Sequence, residues 1–391
     1  MTARQFWILL GTAGILHNGL RITANVLGAK WEYLNYLKPF HPVFDPVAIG
    51  FALAILAVLG FGAYMAAYEW RRPASETDSA YFVSSLWAVP TSLVAGLLAT
   101  LVATKGEKTY GWLLFVVVPV IVGFQSAVVL VRRKPTTIGQ AMVIAITSVA
   151  CMGVLLVLIA VEGIICVAMA APLAVPLAAL GGALGYLATK DERVHGTTTF
   201  LLLAGLVPFG ANLEHAIAPQ ADLFQVKTSI DLAAPPERVW RAIVDPGKPA
   251  APSNWLFRAG VGYPLSNHLD GTGPTATRYC DFTTGMLVEP VVVWDENHEL
   301  RFRVSENPPP MHELSPYSNL HPPHLDGFLV ARQGQFKLTP LANGGTHLEA
   351  TSWYQHHLGP AQYWRVWSDY LIHGIHTMVL SDIQGRLPAT L

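Results

Sequence analysis

Charge is scarce in this chain and unevenly spread. Only 13% of its 391 residues are Asp, Glu, Lys or Arg, and 52% are apolar, whereas a globular domain carries about 25% charge. The formal net charge is -1. No nucleic-acid partner is therefore expected, since phosphate binding needs a positive patch. Cysteine is nearly missing as well. Cys151, Cys166 and Cys280 stand alone, two of them inside apolar runs. That spacing excludes a disulfide framework and a cysteine-based zinc motif.

What the chain does have is long charge-free stretches. Residues 46–68, 79–104, 109–131, 135–161 and 163–189 are uncharged runs of 23, 26, 23, 27 and 27 residues. About 20 apolar residues cross a bilayer core, so each run can span once. A sixth run at 196–213 has 18 residues. The segment 5–20 is shorter and broken by His17 and Asn18, and "WEYLNYL" (31–37) follows it as an aromatic belt. An interfacial N-terminal segment over 1–45 is expected, then a transmembrane bundle of about six helices over 46–216. The whole reads as an integral protein of the plasma (inner) membrane, with membrane lipids as partners.

Two features of the bundle carry alternatives. Glu162 is the only charge between Lys134 and Lys190. It reads as part of the turn "VEGI", because the runs on either side each suffice to cross; the other reading is a buried functional acid. Pro172 and Pro176 remove backbone donors from the fifth helix, and its Gly and Ala residues favour close packing over a cavity role. With six spans, the loops after the first, third and fifth hold Arg71, Arg72, Arg132, Arg133, Lys134, Lys190 and Arg193, against Lys105 and Lys108 on the other side. The bias puts both tails outside, but Arg4, Arg21, Lys30 and Lys38 in the N-terminal tail nearly cancel it.

After Phe224 the period changes. In "QVKTSIDL" Val226, Thr228, Ile230 and Leu232 share one face and Lys227, Ser229 and Asp231 the other, as in a half-buried strand. "ELRFRV" alternates likewise, and "GQFKLTPL" and "THLEATSWYQ" flank the turn "ANGG" at 342–345. Further strands are expected at 275–283 and 286–294. A short helix opens at "PPERVWRAIVD", and a long one runs from about Pro360 to Arg386 with Trp364, Trp367, Leu371, Ile375 and Met378 on one stripe. Antiparallel strands between a short helix and a long terminal one imply an α+β domain, its sheet curled around the last helix.

"IDLAAPPERVWRAIVDP", the "GGTHLEATSWY" hairpin and the Trp-rich terminal helix resemble the SRPBCC superfamily (START-like, polyketide cyclase/dehydrase-like), whose fold is the helix-grip. The resemblance covers 224–391, about 43% of the chain. It implies a cavity between sheet and helix that holds a hydrophobic small-molecule ligand, such as a lipid, isoprenoid or polyketide-like molecule. Some members catalyse cyclisation or dehydration, so an acid–base enzyme is an alternative, and a structural or sensory module without a ligand is a third.

The candidate site residues follow from composition. "SENPPPMHELSPYSNLHPPHLDGF" (305–328) holds six prolines in 24 residues, which excludes regular structure over most of it. It reads as a cavity rim or as a loop packed on the sheet. It contributes His312, Tyr317, His321 and His324 as ligand-binding candidates. Ten of fourteen histidines lie in the C-terminal domain. On the terminal helix Asp369, His373 and His376 fall on one side, where an Asp accepting a ring N–H orients a catalytic base or a metal ligand, and the two histidines with one from the loop would suit zinc. The alternative is a polar helix edge; no metal and no cofactor are assigned. Arg258 and Arg278 suit a ligand carboxylate or phosphate, with Glu289 either beside the ligand or simply paired to Arg278 across adjacent strands. Trp294, Trp353, Tyr354, Trp364 and Trp367 are expected to fill or line the grip.

Overall fold

The computed structural model describes residues 77–101, 103–104, 110–133, 135–190, 222–250, 252, 254–317 and 320–387. The expected interfacial segment and the runs at 46–68 and 196–213 lie outside the described residues.

Among the described residues, four helices are long and apolar enough to cross a membrane. They are α1 (Thr77–Leu101), α2 (Val118–Arg133, continuing a π-helical turn at Leu113–Val117), α3 (Ile138–Leu158) and α4 (Ile164–Lys190). Each overlaps one of the charge-free runs, with Asp78, Arg132, Arg133 and Lys190 at the helix ends. Helix α3 starts at a capping box, in which Thr137 Oγ1 accepts from Gln140 N and Gln140 Oε1 accepts from Thr137 N; two otherwise unpaired backbone donors are satisfied at once. Small residues let α2 and α4 touch backbone to backbone. A Cβ on Gly181 would stand 2.2 Å from the Val120 carbonyl, and one on Gly123 equally close to that of Ala178. Pro172 and Pro176 both lie inside α4.

The remainder is a seven-stranded antiparallel sheet with three helices. The strands are β1 (Phe224–Leu232), β2 (Pro264–Asp270), β3 (Thr277–Phe282), β4 (Gly285–Asp295), β5 (Glu299–Arg303), β6 (Leu329–Pro340) and β7 (Thr346–His356). They lie side by side in the order β1-β7-β6-β5-β4-β3-β2. Helices α5 (Pro236–Val244) and α6 (Trp255–Ala259) connect β1 to β2, and α7 (Ala361–Arg386) closes the chain. In β1 the residues Lys227, Ser229 and Asp231 face solvent and Val226 and Leu232 are buried, as the alternation predicts. Strand β2 and helix α6 were not legible: "PLSNHLD" begins with proline at the sheet edge, and "WLFRA" is barely more than one turn.

Helix α7 packs into two separate cores. Its C-terminal half puts Leu380 and Ile383 against Trp240 and Ile243 of α5 and against Leu300, Phe336 and Leu348 of the sheet. Its N-terminal half puts Trp364 and Leu371 with Phe257 and Met311, and with Ile165 and Met169 of α4. The helix that the sheet grips therefore also joins the domain to the apolar helices.

Candidate functional site

The second of these cores frames a cavity of about 250 Å3 at the junction. Phe115 and Val122 form one wall, Met152, Met169 and Ala174 a second. The third comes from Met311 and Phe328 of the Pro-rich segment and from Trp364, Trp367 and Leu371 of α7. The segment 305–328 is thus a packed wall: Ile164 N donates to Leu314 O at 2.9 Å, and the Tyr317 hydroxyl donates to Leu158 O. A backbone bond from Gly359 N to Tyr110 O at 2.9 Å closes the other flank, and the Phe115 and Trp364 rings meet edge to face at 4.7 Å.

Polar groups converge at one end. Glu162 sits in the turn between α3 and α4, as the sequence suggested, yet it is buried at 7% exposure. Tyr110 donates its hydroxyl to Glu162 Oε1 at 2.9 Å. His324 comes from the 3-10 turn Pro323–Leu325, which its flanking prolines favour, and is buried. Its Nδ1 lies 3.4 Å from Glu162 Oε2 and its Nε2 2.9 Å from Cys166 Sγ. Cys166 stands one turn beyond Glu162, on the same side of α4. Glu313 completes the group, its Oε1 3.7 Å from His324 Nε2 and its side chain fully buried. Gly163 makes room for it, since a Cβ there would stand 2.0 Å from Glu313 Oε2.

Thiol, imidazole and carboxylate in this order have the connectivity of a nucleophile, a base and its orienting acid. Two carboxylates stand beside the thiol, however, and the same donors suit a cation better. The indole N–H of Trp364, a residue that lines the cavity, is buried without an acceptor.

The other expected site residues fall elsewhere. Arg278 and Glu289 pair across β3 and β4 in a buried ion pair, and the guanidinium lies 5.2 and 5.7 Å from the Phe302 and Phe336 ring centroids. Arg278 is inward and already partnered. Burial beside this pair pushes the Cys280 thiol up to about 12. Arg258 is exposed on α6. Trp294 packs edge-on against Trp240 at 5.3 Å, and Trp353 is half-buried on β7. His312 is exposed, with Nε2 3.2 Å from Thr283 O, and His321 faces Asp326 at 2.8 Å on the surface.

The expected pairing of Asp369 with a histidine does not form. Its carboxylate accepts from the Tyr354 hydroxyl at 2.6 Å and from Arg365 Nε at 3.1 Å. Burial and this carboxylate raise the Tyr354 phenol. His373 and His376 instead share Thr228 Oγ1 of β1, at 2.8 and 3.1 Å, and His376 also reaches Ser352 Oγ of β7 at 2.8 Å. Burial, with His373 alongside, pushes His376 down to about 4. These contacts pin α7 to the sheet. Of the candidates, His324, Trp364 and Trp367 line the junction cavity. Tyr110, Cys166 and Glu313 were not anticipated; the four-residue step from Glu162 to Cys166 was the available signal.

No known protein family and no curated protein matches the chain. Solved structures resemble part of the chain. A protein from Nitrosospira multiformis is 18% identical over 42% of this chain and 97% of its own, at a TM-score of 0.29. A norcoclaurine synthase point mutant from Thalictrum flavum, in complex with a transition-state analogue, is 10% identical over 43% and 95%, also at 0.29. A protein from Mycobacterium smegmatis is 16% identical over 44% and 99%, at 0.27. At these values the likenesses carry no inference about activity.

Proposed function

We propose that the chain is a membrane-anchored binder of an apolar small molecule with one polar end, such as a lipid or isoprenoid. The ligand lies in the cavity between the apolar helices and the sheet domain. The observation that carries this reading is the cavity itself: apolar walls from both parts of the chain, with Tyr110, Glu162, Cys166 and His324 at its margin. A binding site of this kind is apolar with a few convergent polar groups. Large side chains such as Leu98, Val143, Val154, Leu180 and Leu187 are exposed on the helices, which suits contact with lipid tails. Anchoring in the bilayer would raise the effective concentration of a lipidic ligand at the cavity.

Binding is favoured over acid–base catalysis by Asp369, His373 and His376, because those side chains are engaged with one another's neighbours and with the sheet. The test is native mass spectrometry of the full chain in detergent, incubated with a lipid extract from the host membrane. A discrete adduct is expected, retained in Trp240→Phe and lost in Ala174→Phe, which fills the cavity. A chain that stays folded and takes up no molecule from any extract would remove the reading.

A further inference from the structure

The polar cluster at the cavity margin is more than a hydrogen-bonded network. Donor atoms of Glu162, Cys166 and His324 all lie within 4.8 Å of one another. Glu313 reaches toward this group from the Pro-rich segment, with its buried carboxylate beside the Cys166 thiol and neither oxygen in a well-formed hydrogen bond. His324 Nδ1 lacks one too. Among the described residues, the cationic group within ion-pair reach of Glu313 is His324 alone. A fully buried carboxylate beside a thiol and a second carboxylate is expensive unless a cation compensates it.

We propose that Glu162, Cys166 and His324, with Glu313 beside His324, form a site for a divalent d-block cation of the zinc type. One sulfur, one imidazole nitrogen and carboxylate oxygens are the donors such an ion takes. Metal bonds of about 2.0–2.3 Å place tetrahedral ligands roughly 3.3–3.7 Å apart. The 2.9 Å from Cys166 Sγ to His324 Nε2 and the 3.7 Å from that nitrogen to Glu313 Oε1 bracket this range. A shift of a few tenths of an ångström in side-chain position opens the first pair. The bound ion ties the turn between α3 and α4 to the Pro-rich segment, and the Tyr110 hydroxyl steadies Glu162 from outside. Glu162, Cys166 and His324 also line the cavity margin, so the ion lies at the ligand's polar end, but its binding does not require the ligand.

The test uses the full chain carrying a tag without histidine, stripped with a chelator, reduced, and titrated with cobalt(II) and zinc(II) alone. One equivalent of ion per chain is expected, with a thiolate-to-cobalt charge-transfer band that saturates at that ratio. The band must persist in the Cys151→Ser/Cys280→Ser double variant, where Cys166 is the only thiol left. It must vanish in Cys166→Ser, and His324→Gln and Glu313→Gln should weaken cobalt binding by about 10- to 100-fold. His321→Asn, on the same segment but turned to the surface, should bind as the unaltered chain does. Absence of the band in the unaltered chain or in the double variant overturns the proposal, whether or not the single-ligand variants fold.

Discussion

His376 shows how one residue's burial becomes a property of the protein. Its imidazole is held between Thr228 and Ser352 with His373 beside it, and its pKa falls from the ordinary 6.5 to about 4. Between those values the unfolded chain binds a proton that the folded chain refuses. Stability is therefore complete above about pH 6.5 and declines as the pH falls to 4, by up to about 3 kcal/mol. Denaturant unfolding of the full chain at pH 7 and pH 4.5 should show this loss, and His376→Gln should make the difference between the two pH values smaller. Arg278 offers a second residue-scale test. Arg278→Met strands the Glu289 carboxylate among Phe302 and Phe336 and should cost about 3–5 kcal/mol. Adding Glu289→Leu should restore most of it, because the uncompensated charge is then gone; a double variant as unstable as the single one would contradict the pairing.

Between elements, contact is decided by the smallest residues. Gly181 and Gly123 let α2 and α4 meet at backbone distance, and Gly181→Val should cost about 1–3 kcal/mol through overpacking. The exposed Leu184→Val on the same helix should be close to neutral. Melting followed by size-exclusion in detergent separates the two outcomes. These packing glycines were legible as composition, as were the helix positions, because a charge-free run of 23 residues or more has little else to be. The alternation of β1 and the stripe on α7 were equally plain, since period and burial coincide there. The junction was not legible. Glu162 and His324 are 162 residues apart in number, counted as 324 less 162, and only the packing of the Pro-rich segment on the α3–α4 turn brings them together. The same holds for the histidines of α7. Their spacing was readable, as was the face of β1 that carries Thr228, but that Tyr354 takes up Asp369 while Thr228 and Ser352 take up the two rings depends on how α7 crosses the sheet, which no local pattern specifies.

For the molecule as a whole, the domain docks on the ends of the helices near Tyr110 and Glu162. Arg132 and Arg133 lie at the opposite end of α2 from Tyr110, and Lys134 follows them. Positive loops stay on the cytoplasmic side, so the sheet domain is expected outside. An impermeant maleimide should label the surface variant Glu237→Cys in intact cells; labelling only after lysis would reverse the orientation. The central claim is that the ligand lies at the junction and not inside the sheet's own core. A fatty acid bearing a photoreactive diazirine, bound to the full chain and irradiated, tests it directly when the modified residues are mapped by peptide mass spectrometry. Adducts on Met169, Met311 and Trp364 are expected. Adducts concentrated on Trp240, Trp294 and Phe336 would place the ligand within the grip and contradict it.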